Sequence, residues 1–169
     1  HTAKEHGFEA RILDAVEKVN SYQKTRLFEM LEREFQGELA GRSIAIWGLS
    51  FKPNTDDMRE APSRVLIDDL LKAGASVQAH DPEAMREGMR IYRDSENFSI
   101  HDDPYEVASD ADALVLVTEW KLYWIPDFDK LKQVMRKKVL IDGRNIWSRE
   151  AALKHGFTYH AIGRASEMN

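Results

Sequence analysis

The sequence predicts an α/β fold: a three-layer sandwich with a mostly parallel sheet between helices, preceded by one long helix. Three observations lead there. From residue 43 onward, short apolar runs alternate with amphipathic stretches, the pattern of strands joined by crossover helices. The run "ALVLVTEW" is apolar on both faces, as a central strand covered from both sides must be. Residues 8–35 contain neither proline nor glycine, and their apolar residues recur at helical spacing.

Within that first helix Ile12, Val16, Val19, Met30 and Leu31 share one face, which Leu13, Tyr22 and Leu27 widen. A helix of this length either lies on its own domain or projects to meet another subunit. Gly37 and Gly41 in "QGELAGRS" end it. "SIAIWG" is the first strand and "SRVLIDDLLKAG" an amphipathic helix closed by Gly74. "SVQAHD" is the second strand. In "PEAMREGM" Pro82 starts a short helix that Asp81 caps. "FSIHD" is a third strand, followed by the short helix "DPYEVASD" and the central strand. "PDFDKLKQVM" is helical, "KKVLID" a strand, "SREAALKHG" a helix and "TYHAIG" the last strand.

Right-handed crossovers gather the loops that follow these strands along one edge of the sheet, where ligands of such sheets bind. Function is therefore sought after Trp47, His80, Val117 and Ile141. Composition narrows the classes. A net charge of -5 offers no basic excess for general nucleic-acid binding. No apolar run reaches the roughly 18 residues of a membrane span. With no cysteine there is no disulfide, thiolate metal site or cysteine nucleophile in these residues, and cytoplasmic placement is the default. The six histidines show no metal-ligand spacing.

The loop "GLSFKPNTDDMREAP" carries cations and acids where a dinucleotide loop would carry a glycine cradle. Lys52 is a compact charge suited to a phosphate oxygen, or a solvated surface lysine. Asp56, Asp57 and Arg59 suit a local ion pair that holds the loop, and "DMRE" fits a helix capping box. Arg59 alternatively reaches a ligand phosphate. In "DGRN", Gly143 permits a tight turn and Arg144 presents a planar fork for bidentate anion contacts; the alternative is an Asp-Gly turn with a surface arginine. Lys52 and Arg144 both follow strands and suit convergence on one anion. Asp81 occupies the place of a ribose-binding acid, but without the glycine fingerprint it reads as a helix cap. The aromatics of "VTEW" and "KLYW" read as core and lid packing.

Four segments then act together. "GLSFKPNTDDMREAPS" closely resembles the signature of the C-terminal domain of the UDP-glucose/GDP-mannose dehydrogenase family. "EARILDAVEKVNSYQK" resembles that family's central dimer-forming helix, "ADALVLVTEW" its later core strand, and "LIDGRNIW" its terminal substrate loop. The proline-asparagine form of the loop and "DGRN" look more like the family's UDP-glucose dehydrogenases than its GDP-mannose dehydrogenases. The resemblance implies a Rossmann-like domain at residues 38–169 that binds a UDP-sugar, with residues 1–37 belonging to a central helical domain through which two copies pair. It implies oxidation of the sugar's C6 alcohol to a carboxylate, for UDP-glucose giving UDP-glucuronate, with water and two NAD. A cysteine would carry the sugar covalently and a separate N-terminal domain would hold NAD. By the same resemblance Phe51, Lys52 and Arg144 contact the nucleotide-sugar, Arg59 reaches NAD, and Asp56 and Asp57 support the loop.

The departures are a missing cysteine and a missing Gly-x-Gly-x-x-Gly turn. The chain is accordingly expected to begin just downstream of the nucleophile and to be inactive alone. Ala61 stands where many relatives have serine, which gives up a side-chain cap. Two alternatives remain open: another nucleotide sugar, such as UDP-N-acetylmannosamine or GDP-mannose, or a non-catalytic nucleotide-binding or dimerisation module.

Overall fold

A computed structural model of the chain describes residues 11–163. In chain order the elements are α1 (Arg11–Glu34), β1 (Ser43–Trp47), α2 (Pro62–Lys72), β2 (Ser76–His80), α3 (Met85–Tyr92) and β3 (Phe98–Ile100). Then come α4 (Pro104–Val107), β4 (Ala113–Leu116), a 3-10 turn (Lys121–Tyr123), α5 (Phe128–Val134), β5 (Val139–Asp142), α6 (Arg149–Lys154) and β6 (Thr158–Ala161).

The six strands form one sheet in the order β3-β2-β1-β4-β5-β6, with all five ladders parallel. This is the doubly wound order, and it reverses direction between β1 and β4. Register brings the strand ends level: Trp47 pairs with both His80 and Leu116, and Leu116 with Asp142. The loops after these four positions are therefore neighbours.

Alternation of side chains along the strands splits the core in two. Ile44, Ile46, Val77, Val115 and Ile141 face one side, where Leu27 and Leu31 of α1 and Leu66, Ile67 and Leu70 of α2 cover them. Ala45, Trp47, Leu114, Leu116 and Leu140 face the other, against Val107 of α4, Leu131 of α5 and Ala152 of α6. Trp47 anchors that second layer. It stacks on Tyr123 with ring centroids 4.9 Å apart and meets Trp147 edge-on at 5.8 Å.

The apolar stripe of α1 divides along its length. Leu27, Leu31 and the following Phe35 are buried in the core, whereas Leu13, Val16, Val19 and Tyr22 are exposed. The C-terminal half of the helix thus lies on its own domain, while the N-terminal half presents its apolar residues to solvent. Residues 8–10 of its expected span lie outside the described residues.

Three local expectations change. α3 starts at Met85 with Ala84 as its N-cap, not at Pro82, because residues 82–84 form a turn. Asp81 caps that turn by accepting from the backbone N–H of Glu83 and Ala84 at 2.9 and 2.8 Å. The "DMRE" capping box does not form. α2 begins at Pro62 behind Ala61, which supplies no side-chain cap, and Asp57 accepts instead from the N–H of Arg59. Strand β4 ends at Leu116, short of "VTEW", because the chain turns at Thr118 to clasp the loop after β1.

Gly48 makes that close approach possible. Its φ is +95°, and a Cβ there would lie 2.6 Å from both Thr118 Cβ and Thr118 N. Gly48→Ala should therefore lower the unfolding free energy by about 2–3 kcal/mol through backbone strain and overlap. A urea midpoint equal to that of the parent would contradict this.

Candidate functional site

The loop after β1 is fixed by one carboxylate. Asp81, at the end of β2, is fully buried. Its Oδ2 accepts from Leu49 N at 2.7 Å, Ser50 N at 3.0 Å, Ser50 Oγ at 3.0 Å and Trp120 Nε1 at 3.0 Å. With the two bonds to Glu83 and Ala84, six donors converge on a buried anion that has no ion-pair partner among the described residues. Carbonyls of the same loop are held as well. Ser63 Oγ donates to Leu49 O, and Thr118 Oγ1 to Ser50 O at 2.6 Å. Past this anchor the chain turns outward and leaves Phe51 half-exposed and Lys52 exposed at the edge of the sheet.

A second buried carboxylate does the same for the loop after β5. Asp142 Oδ1 accepts from Arg144 N at 2.9 Å, and its Oδ2 accepts from Trp147 N and Tyr159 Oη, both at 2.8 Å. The tight turn is not made by Gly143. Asn145 takes the left-handed conformation, with φ +57°. Gly143 is needed for proximity, since a Cβ there would sit 2.5 Å from Leu116 O and 3.2 Å from Leu27 Cδ2.

Arg144 is aimed by two groups. Its Nε donates to Val117 O at 2.6 Å, and the same nitrogen lies 3.0 Å from Glu119 Oε2. That oxygen is buried and accepts no hydrogen bond, so Glu119 acts on Arg144 by charge rather than as an acceptor. The Nη groups of Arg144 donate no hydrogen bond among the described residues, which leaves them available to a ligand.

Between the two loops lies a cavity of about 750 Å³. That is within the usual range for small-molecule sites. Phe51, Val117, Gly143 and Arg144 form one part of its wall, while Lys24 and Leu27 of α1 form another, with Glu60 at the margin. The structure thus brings Phe51 and Arg144 together. Lys52 does not line this cavity, although it is next to Phe51 in the chain. Asp56, Asp57 and Arg59 line a separate, smaller depression of about 390 Å³ with Thr55 and Glu87.

In that depression Asp57 receives Arg59 bidentately, Nε at 3.0 Å to Oδ1 and Nη2 at 2.8 Å to Oδ2. The Arg59 side chain holds the Asp57 carboxyl down at about 2. Asp57 also supports the loop through its backbone, its carbonyl accepting from Phe51 N at 2.8 Å. Asp56 is exposed. Burial lowers the pKa of His80 and raises that of Tyr123, and the two meet at 2.6 Å between Nδ1 and Oη inside the core. No group of three or more metal-binding side chains occurs among the described residues.

Sequence reasoning missed the contribution of α1 to the cavity. Its signal was present in "NSYQK", polar residues on a helix valued only for its apolar face, but only the fold reveals that Lys24 opposes Arg144's loop.

Residues 45–149 match the UDP-glucose/GDP-mannose dehydrogenase family, UDP binding domain. The chain belongs to this family. The UDP-glucose 6-dehydrogenase of Pseudomonas aeruginosa is 47% identical over 166 residues, which is 96% of this chain and 37% of that protein. Among solved structures, a UDP-glucose dehydrogenase from Pyrobaculum islandicum superposes with a TM-score of 0.79 at 31% identity, covering 97% of this chain and 35% of that one. The NDP-N-acetyl-D-galactosaminuronic acid dehydrogenase of Methanosarcina mazei gives 0.69 at 31% identity, over 87% of this chain and 30% of its own. The chain therefore spans about a third of the length of these relatives. No helix among the described residues is long and apolar enough to cross a membrane.

The family implies NAD, and the crevice between β1 and β4 does not fit it. A dinucleotide there needs a glycine cradle and a free acid for the ribose. Here the acid is Asp81, saturated by six donors, with the Trp120 indole against it. Asp81→Ala would strand the Leu49 and Ser50 N–H groups in the interior and leave Trp120 Nε1 only its 3.2 Å bond to Ser50 Oγ. A loss of about 3–5 kcal/mol is expected. Chemical denaturation measures it, and a loss under about 1 kcal/mol would contradict the anchoring role.

Proposed function

We propose that this chain holds the nucleotide-sugar of a UDP-glucose 6-dehydrogenase, which oxidises UDP-glucose to UDP-glucuronate with two NAD. The observation that carries the reading is the cavity wall. Phe51 and the Arg144 fork, aimed by Val117 and Glu119, come from two separately anchored loops, and both lie in the stretch matched to the family's UDP binding domain. A planar fork suits a diphosphate, a half-exposed ring suits a base or sugar face, and Lys52 at the loop's tip reaches a phosphate from outside the wall.

In this reading residues 38–169 form the UDP-sugar domain and residues 1–37 belong to a central helical domain. NAD, which supplies the hydride acceptor, binds outside these residues, and Arg59 meets it from the second depression once it leaves Asp57. Asp56 and Asp57 keep the loop in place. The thiol that would carry the sugar also lies outside, because this chain has no cysteine, and the chain alone is inactive. A second reading keeps the family and changes the sugar, supported by the likeness to the Methanosarcina mazei enzyme.

Calorimetric titration of the chain tests the site. UDP should bind and uridine should bind far more weakly. Arg144→Ala should weaken UDP by about tenfold or more. A folded chain that gives no heat with UDP would overturn the reading. In the whole gene product, limiting UDP-glucose with excess NAD should yield about two NADH per sugar. The same count with an N-acetylated UDP-sugar but none with UDP-glucose would favour the second reading.

The exposed half of α1 carries the association. Leu13, Val16, Val19 and Tyr22 form an apolar surface that we assign to a second copy of the chain. Sedimentation equilibrium should give a dimer, and Val16→Glu combined with Val19→Glu should give a monomer. A parent protein that stays monomeric at high concentration would refute the assignment.

A further inference from the structure

Two cations and two carboxylates are among the residues that line the cavity: Lys24 and Arg144, Glu17 and Glu60. One of the possible pairs is made. Lys24 Nζ lies 2.7 Å from Glu60 Oε2 and donates to it, which ties α1 to the loop that carries Phe51. The two partners are differently placed. The Lys24 side chain is 21% exposed, while that of Glu60 is 87% exposed. Glu60 is also in a conformation that its residue type disfavours, with φ +56°, at the turn immediately before Ala61 and α2. A carboxylate in water gains little from an ion pair. A mostly buried lysine on the wall of a cavity is a better partner for a multiply charged anion, which offers more charge and more acceptor oxygens than a carboxylate does.

We propose that Lys24 is a phosphate-binding residue of this cavity, and that Glu60 is its placeholder, displaced when a nucleoside diphosphate enters. The inference rests on the nucleotide-sugar reading above and extends it to the helix. Lys24 on α1 and Arg144 after β5 then grip the ligand's diphosphate from different walls, and Glu60 returns to the ammonium when the ligand leaves. Glu60 therefore competes with the ligand rather than binding it.

The two residues can be told apart by the sign of their effects. The chain is titrated with UDP by calorimetry as parent, Lys24→Gln, Lys24→Arg and Glu60→Gln, with uridine as the phosphate-free probe and a urea midpoint for each variant. Lys24→Gln should weaken UDP by about tenfold, Lys24→Arg should restore most of it, and Glu60→Gln should tighten UDP by about threefold. Uridine binding should not move. A merely structural clasp is broken equally by Lys24→Gln and Glu60→Gln, so weakening in both would overturn the proposal. So would UDP affinity that depends on Arg144 but is untouched by Lys24→Gln, an outcome that leaves the nucleotide reading standing. A folded parent that does not bind UDP would remove both together. Glu60 lies on the surface, so its variant should remain folded, and weaker UDP binding by Glu60→Gln overturns the placeholder role whatever Lys24→Gln does.

Discussion

The candidate site depends on a buried negative charge, Asp81, that no cation balances among the described residues. Six donors around one carboxylate are a demanding arrangement, since each must be brought within hydrogen-bond distance at once. They come from the loop after β1, from the turn before α3 and from the indole after β4. Satisfying the charge therefore fixes three segments that are far apart in sequence. Gly48 is the other half of this constraint, because only a residue without a Cβ lets the loop lie against Thr118.

The same residue position explains what this domain does not do. In a dinucleotide fold the acid after β2 faces a ribose, and the loop after β1 wraps a pyrophosphate. Here the acid faces inward and the loop's amide groups are spent on it. The topology of a cofactor domain is kept while its crevice is filled by protein. On the proposed reading binding is moved sideways, toward the gap between the loops after β1 and β5 and the flank of α1. Asp142 repeats the device at the second loop, so each of the two loops beside the cavity is held by a strand-end aspartate.

The strand and helix order was legible because periodicity of apolar residues reports it directly, and "ALVLVTEW" marked the sheet's centre. Boundaries were less so. β4 stops at Leu116 because Thr118 has a partner, Ser50, that local sequence cannot name. Asp81 was read as a cap, which is true of its Oδ1, but the four donors on Oδ2 all come from residues more than thirty positions away. Arg144 stood out by residue type and by following a strand, Phe51 only through the resemblance of its loop, and they do line one cavity. Lys52 looked equivalent and does not, because successive residues of an exposed turn point different ways. Lys24 was invisible as a site residue because its role depends on which side of α1 meets the sheet.

That helix now connects three tasks along its length. Leu27 and Leu31 are buried in the core and fix its axis, Lys24 one turn earlier faces the cavity, and the apolar residues beyond it face solvent. Leu27 also touches the place where a Cβ on Gly143 would sit, so the axis of α1 and the loop bearing Arg144 are set by one contact. On the proposed reading, ligand and second copy meet the same rigid element within about three turns of each other. Coupling between two such events is reciprocal: whatever association does to the orientation of α1, it does to ligand affinity, and the ligand returns the same free energy to the dimer. Helix rigidity is what makes this possible, since a flexible connection between Lys24 and the exposed stripe would let each respond without the other.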